Sequence, residues 1–445
     1  MAHEQCIGIR RALKSTFPDS WLRKTAREVG FVQRERKIKA TTFFWTLVLG
    51  FSAGAERSIA AFRRAYEKAA GVTVVPASFY DRFNAGLVEF LKTAVEKALD
   101  DFAAASSDVH ERLQRFKDVM LVDSTIITLH DALQPVFRGA QTPAAAKLNA
   151  VLSVRGKGRS TIRLYSGNRP EQRTLSVGPW VAGRLLIFDK GYCCYTLFGK
   201  IHENEGYFLT RLKDHCNPTI RKVHSAVRVN PALLRGRPLR IAVNDLRRET
   251  FDATVEIYFP RLLTSGKRKF TKGFYRLIGL YDTDKSKYHF YMTNIPAELL
   301  AAEDAYNVYR VRWEIELIFK ELKSGYGLGG ITSCSKHVVT ALIYSAVITL
   351  IVSRKLFRSI ASHLGSRAER ATGSRWCRLF ATHANDLLFA VTRQSRENAA
   401  TRELLQLLVH EMVDPHLGRK SLLSQDARPT KKKRRGRRRR LASQT

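Results

Sequence analysis

Two aspartates and a glutamate stand where packing alone does not explain a carboxylate. Asp123 follows the apolar run Val119 to Val122 in VMLVDST, and Asp189 follows Leu185 to Phe188 in GRLLIFDKGY. Each run reads as a buried strand that closes on an acid and then turns on small or polar residues. A carboxylate at the end of an apolar strand is costly unless it is paired or bound to a metal. Acids at strand ends of a mixed sheet can also converge at one edge. Either aspartate alone reads equally well as a turn-former or a helix cap. A third stretch, DAYNVYRVRWEIELIFKELKSGYG, removes that ambiguity. At about 100° per residue, Tyr309, Arg312, Glu316 and Lys323 fall within about 60° of one face of a single helix from about Asp304 to Lys323. Val308, Val311, Ile315, Ile318, Phe319 and Leu322 form the neighbouring apolar stripe. This polar stripe borders the apolar one, as where a helix dips into a cleft beside its own core.

The elements that must carry these residues follow from periodicity. The chain to about Lys117 is helical in pattern, with apolar residues at helical spacing in FFWTLVLGFSAGAERSIAAFRRAYEKA. Ser78 is the expected N-cap of the helix beginning SFYDRFNAGLVEF, with Asp81 in the capping-box position. A short turn and Arg82 exposed near that helix start suit a helix-turn-helix-like DNA reader, or equally a plain helical bundle. From Asp118 strands take over: VMLVDST, a hairpin in KLNAVLSVRGKGRSTIRLYSG, then GRLLIFDKGY and GYFLTRLK. Alternating aromatic runs between about Asp214 and Glu303 predict a β-rich insertion. Helices fill Val338 to about Leu422. The run Val338–Val352 holds Thr340, Tyr344, Ser345 and Thr349 and is short of a bilayer span, so a buried core helix is expected.

The order Y-x2-R-x3-E-x6-K, as Tyr309, Arg312, Glu316 and Lys323, together with VDST and DKGY, resembles the signature of the insertion-sequence-four family of DDE transposases. The gap from Asp189 to Glu316 is about twice that from Asp123 to Asp189, as in family members with a β insertion before the glutamate. The resemblance implies an α/β fold with a ribonuclease-H-like mixed-sheet catalytic core. Its parts would be a helical N-terminal DNA-binding domain (1–117), the first part of the core (118–213), the β-rich insertion (214–303), the second part of the core (304–356), a helical C-terminal region (357–430) and a disordered basic tail (431–445). It further implies that Asp123, Asp189 and Glu316 are catalytic and hold two divalent ions, Mg²⁺ or Mn²⁺, with Asp123 bridging them. Two such ions suit phosphodiester chemistry, and hard cations favour carboxylate oxygens. Arg312 and Lys323 would hold phosphates, and Tyr309 the backbone of the transposon end. Water would cut first, and the freed 3′-end would then attack target DNA. Some relatives hold a flipped base with a Trp in the insertion. None of the five Trp residues falls there, so Tyr258, Phe274 or Tyr291 is expected in that place.

Composition agrees with a nucleic-acid enzyme. Lys and Arg number 76 against 40 Asp and Glu, a formal charge of +36, while 44% apolar residues exclude a wholly disordered basic protein. A polyanion is the expected partner, double-stranded DNA before a membrane surface. A homodimer is expected in the synaptic complex, since strand transfer needs two ends held together. Met1 to Arg10 has no apolar signal region, and six scattered cysteines suggest reduced thiols, so a cytoplasmic location is expected. Cys193 and Cys194 read as packing. Gly325-x-Gly327-x-x-Gly330 follows a helix instead of a strand and fails as a dinucleotide fingerprint. The rivals are a metal-dependent nuclease of the same fold without strand transfer and a catalytically inactive DNA-binding protein. The run KKKRRGRRRR, with Lys431, Lys432, Lys433, Arg434 and Arg435 at its head, reads as a non-specific DNA arm. Removing Lys431–Thr445 should therefore flatten the salt dependence of DNA affinity, measured as log Kd against log salt; an unchanged slope would make the run a bystander.

Overall fold

A computed structural model describes residues 8–53, 57–103, 111–226, 228–262, 268–362, 364–393 and 399–413. Nine strands form one mixed sheet: β1 (Asp118–Thr128), β2 (Ala145–Ser153), β3 (Thr161–Ser166), β4 (Arg184–Phe188), β5 (Tyr207–Arg211), β6 (Thr219–Ser225), β7 (Phe251–Leu262), β8 (Arg268–Asp282) and β9 (Lys287–Thr293), in the order β3-β2-β1-β4-β5-β9-β8-β7-β6. β1 pairs antiparallel with β2 and β2 with β3, whereas β1–β4 and β4–β5 are parallel. The unbroken apolar runs of β1 and β4 match this placement. Strands inside a parallel pair are covered on both faces and lack alternation. By contrast, β7 alternates in residue type: Phe251, Ala253, Val255, Ile257 and Phe259 are buried on one face, with Asp252, Thr254 and Glu256 on the other.

The strands expected in an insertion extend this same sheet, because β9 pairs antiparallel with β5. The join is reinforced by a buried ion pair. Arg276 on β8 donates from Nε and Nη2 to Asp252 on β7, the closest contact being 2.6 Å, and both side chains are about nine-tenths buried. The third nitrogen, Nη1, donates to the carbonyl of Leu300 at 2.6 Å. One guanidinium thus ties the outer strands to the segment that leads into Tyr309 and Glu316.

The helices share one core. Ile9–Thr16, Ala40–Ala53 and Ala85–Ala103 pack on the long helix Lys336–Ala361, and Asp19–Glu28 and Ile59–Ala70 pack on Ala40–Ala53 beside it. Lys336–Ala361 is long and apolar enough to cross a membrane, but 89% of its most apolar window is buried inside the protein. Its residues Val338 to Val352 are all buried, as the sequence suggested for a core helix.

Two sequence expectations are corrected here. The helix expected to start at Ser78 is two helices. Pro76–Tyr80 begins on its proline, whose fixed φ suits a first helical position. Ala85–Ala103 is capped by Asn84, whose Oδ1 accepts from the Leu87 N–H at 3.2 Å. Ser78 lies inside the first helix, and Arg82 is half-buried in the turn between them, not exposed. β1 also does not end at Asp123. It continues to Thr128 because β2 keeps pairing with it, from Asp123↔Ala150 to Thr128↔Ala145. Arg276→Ala should cost about 3–5 kcal/mol in urea unfolding, the scale for breaking a buried ion pair by removing one partner; a loss under about 1 kcal/mol would show that the tie bears no load.

Candidate active site at the ends of the parallel strands

The parallel register delivers two of the acids together. β1 and β4 pair from Asp118↔Arg184 to Val122↔Phe188, and the next residue on each chain is Asp123 and Asp189. Here β4 ends and the two segments part. Asp123 is largely buried, and its Oδ1 accepts from the Ser124 N–H at 2.8 Å. Burial, with the charges of Asp189 and Glu316 adding to it, pushes the Asp123 carboxyl up to about 7, against the opposing pull of Ser124 N–H and Arg312. This carboxylate lacks cationic partners sufficient for its surroundings.

The third acid arrives on a helix that is not continuous. Instead of one helix from Asp304 to Lys323, the chain forms Ala305–Arg310, a tight turn at Val311–Arg312, Trp313–Lys320, and a π-helical turn Glu321–Gly325. At the tight turn the N–H groups of Arg312, Glu314 and Ile315 each donate to the carbonyl three residues back. The wide turn is fastened to the core helix. Glu321 accepts from Arg354 at 2.6 Å, and the Tyr326 hydroxyl donates to Ser353 at 2.6 Å. The face arithmetic holds for Tyr309, Arg312 and Glu316 and fails for Lys323. The extra residue of the wide turn rotates Lys323 away, and it is exposed, without an ion pair to the three acids among the described residues.

Arg312 is the hub. Its Nη1 lies 2.6 Å from Glu316 Oε1 and 3.5 Å from Asp123 Oδ2, and its guanidinium stands 5.3 Å from the centre of the Tyr309 ring. Burial alone would weaken its hold on a proton, but Tyr309, Glu316 and Asp189 more than offset that and raise it. Its Nε is buried with no hydrogen-bond partner in the described structure, a donor not yet used. Tyr309, expected to reach DNA, is instead buried and donates its hydroxyl to Asp189 Oδ1 at 3.3 Å. Burial raises the Tyr309 phenol, so it stays a donor. Tyr291 supports it from below with ring centres 5.3 Å apart. At 2% exposure Tyr291 is not free to stack on a base, which corrects the sequence expectation; Tyr258 and Phe274 are exposed.

Sequence reasoning missed a polar layer under the acids. Tyr192 of DKGY is fully buried, and its hydroxyl accepts from Asn149 Nδ2 at 2.7 Å. Asn149, a polar residue in the first arm of the expected hairpin, was the available signal. Among the described residues no group of three or more His, Cys, Asp or Glu side chains lies ready to hold one metal ion. Arg312 fills the space between Asp123 and Glu316. The donor set nonetheless suits a hard divalent cation: three carboxylates, one starved of positive charge. A cavity of about 380 Å³ lined by Cys193, Tyr195, Cys216, Glu256 and Tyr258 includes none of the three acids. Lys431, Lys432, Lys433, Arg434 and Arg435 lie outside the described residues.

Residues 114–352 match the family model described as "Transposase DDE domain". The chain is 22% identical over 435 residues to the transposase for insertion sequence element IS231B of Bacillus thuringiensis subsp. berliner, covering 87% of each chain. It is 20% identical to the transposase for insertion sequence element IS1151 of Clostridium perfringens, over 78% of this chain and 79% of that one. Among solved structures, a piggyBac transposase synaptic complex with hairpin DNA superposes over 91% of this chain and 85% of that chain, with a TM-score of 0.40 and 10% identity.

The raised Asp123 carboxyl fixes a pH dependence. A group whose folded value (about 7) exceeds its ordinary value (3.8) binds its proton more tightly when folded, so stability falls as pH rises through that window. In metal-free buffer Asp123→Asn should raise stability modestly at pH 5, by about 1–2 kcal/mol, because only the unfolded carboxyl has ionised there. At pH 8 it should raise stability, by a few kcal/mol at most at about 1.4 kcal/mol per pKa unit. Equal effects at both pH values would remove Asp123 as the titrating group.

Proposed function

The chain belongs to the transposase DDE domain family, enzymes of DNA transposition, and we propose that its reaction centre is the trio Asp123, Asp189 and Glu316. The observation that carries this reading is Arg312, a single cation set between Asp123 and Glu316 beside the two aspartates where the β1–β4 ladder stops. The order β3-β2-β1-β4-β5, antiparallel on one side of β1 and parallel on the other, supports a ribonuclease-H-like core.

The trio would hold Mg²⁺ or Mn²⁺, two ions in this reading, with Asp123 shared and Asp189 and Glu316 on either side. Such ions supply an activated water or 3′-hydroxyl and a stabilised leaving oxygen. The chain's own residues do the rest. Tyr309 orients Asp189 through its hydroxyl and supports Arg312 with its ring face. Arg312 has a planar fork and one unspent donor, the geometry that fits a phosphate bidentately. Lys190, exposed next to Asp189, and Lys323 are point charges at the rim. No side chain need act as a covalent nucleophile. Asn149 and Tyr192 stiffen the floor beneath.

The substrate in this reading is double-stranded DNA: the element's terminal inverted repeats, then a target. The formal charge of +36 supplies sequence-independent affinity for both. Hydrolysis frees the 3′-ends, which then attack the target, and a homodimer would hold the two ends in one synapse. A nuclease that stops after hydrolysis is the second reading. Arg312, a cation with an unused donor that could hold the phosphate of a joined strand, favours the first.

Incubating the protein and Mg²⁺ with a pre-cut transposon end and a supercoiled plasmid separates the two. The expected result is covalent joining of the end to the plasmid; nicking without joining would leave only the nuclease. Glu316→Gln should abolish cleavage and joining and leave end binding, measured by gel shift, within about twofold. Retained cleavage would sink the assignment of Glu316.

A further inference from the structure

A fourth carboxylate stands behind the trio. Glu171 opens the short turn Glu171–Arg173, which follows β3 and packs on the turn Lys190–Tyr192. Its Oε1 accepts from Ser124 Oγ at 3.1 Å, and Ser124 is the neighbour whose N–H holds Asp123. The other carboxylate oxygen lies against Gly191, two residues after Asp189. A β-carbon built on Gly191 would come 1.5 Å from Glu171 Oε2. Residue 191 must therefore lack a side chain for Glu171 to keep its seat. The backbone of Glu171 is itself held, since its carbonyl accepts from Thr174 Oγ1 at 2.6 Å and from the Thr174 N–H at 2.9 Å. Lys147, buried on β2, donates to the carbonyl of Arg169 at 2.6 Å; burial lowers its hold on a proton, and the charge of Glu171 partly offsets this. Glu171 makes no hydrogen bond or ion pair to Asp123, Asp189 or Glu316 among the described residues.

This contact lies where the sheet no longer helps. Pairing of β1 with β4 stops at Val122↔Phe188, so no ladder bond fixes Asp123 relative to Asp189. Two carboxylates side by side repel, and the segments that carry them could spread. Glu171 touches both segments at once, one through a hydroxyl and one through a bare Cα. We propose that Glu171 is a positioning residue for the reaction centre, pinning Ser124 and Gly191 and so fixing the spacing of Asp123 and Asp189. The inference rests on the reading of those two acids as ion ligands. A carboxylate one layer behind the ligands acts through geometry, and loss of such partners typically costs 10–100-fold in metal affinity or activity.

The test is Mn²⁺ binding to the full-length protein, followed by electron paramagnetic resonance, with thermal melting as the check on folding. Glu171→Ala and Gly191→Ala should each weaken Mn²⁺ binding about tenfold. Gly191→Ala acts by displacing the far end of a flexible side chain, so the double variant should bind no more weakly than either single one. Glu171→Gln keeps an acceptor for Ser124 and should recover most of the affinity. Binding of a transposon end without metal should not change in any of them. Wild-type Mn²⁺ affinity in Gly191→Ala, or additive losses in the double variant, would overturn the inference. Should Glu171→Ala fail to fold, Gly191→Ala decides alone. Asp123→Asn is the control: if it binds Mn²⁺ as the wild type does, the ion-site reading itself falls. If it loses binding while Gly191→Ala does not, only the role of Glu171 falls.

Discussion

Carboxylates gathered in a partly buried cleft repel one another, and each loses the water that would have screened it. The cost appears in Asp123, whose carboxyl is pushed up to about 7 by burial and by its two acidic neighbours. Arg312 reduces that cost by lying between Asp123 and Glu316. Much of the surrounding structure can be understood as holding this balance. Tyr309 places a ring face under the guanidinium and a hydroxyl on Asp189, and Tyr291 backs Tyr309. A cleft arranged in this way keeps its charges ready for a more highly charged partner without collapsing onto them.

Two kinds of scaffold meet at that balance. The sheet supplies register: once Val122 is opposite Phe188, the following aspartates must be neighbours. The helix supplies reach, and it does so by departing from regularity. The tight turn at Val311–Arg312 sets Arg312 between Tyr309 and Glu316, and the wide turn after Lys320 gives the chain the slack to anchor Glu321 on Arg354. The same core helix that holds Arg354 also packs against the N-terminal helices. The N-terminal helices and the segment that follows Glu316 therefore share one core helix.

The parts legible in the sequence were those that depend on local pattern. The runs before Asp123 and Asp189 are apolar without alternation, and they are strands buried on both faces. The stripe of Tyr309, Arg312 and Glu316 survives because these residues lie within about two turns. The parts that were not legible depend on partners far along the chain. Asp123 is mid-strand because β2 continues beside it, which the residues of β1 do not encode. Lys323 lies in a π turn, Glu321–Gly325, that 100° arithmetic does not anticipate and whose first residue is held by Arg354, some thirty residues on. Tyr291 looked like any aromatic of an alternating strand until its packing on Tyr309 put it inside. Asn84 in place of Ser78 as the cap was within reach of the sequence, since asparagine ranks with serine at that position and Pro76 already marked an earlier helix start.

An arginine at position 312 is required by the geometry, and a lysine would not do the same work. The guanidinium meets two carboxylates and a ring face at once while keeping one donor unused. A lysine ammonium is a point charge on a flexible stem and would collapse onto whichever acid was nearer. It would also lose its proton more readily in a buried setting, whereas Arg312 is held more firmly protonated by Tyr309, Glu316 and Asp189. The planar fork can exchange a carboxylate for a phosphate without changing its own shape. One residue thereby neutralises two acids at once and, in the proposed function, would keep the right shape for a phosphate if those acids took up metal ions.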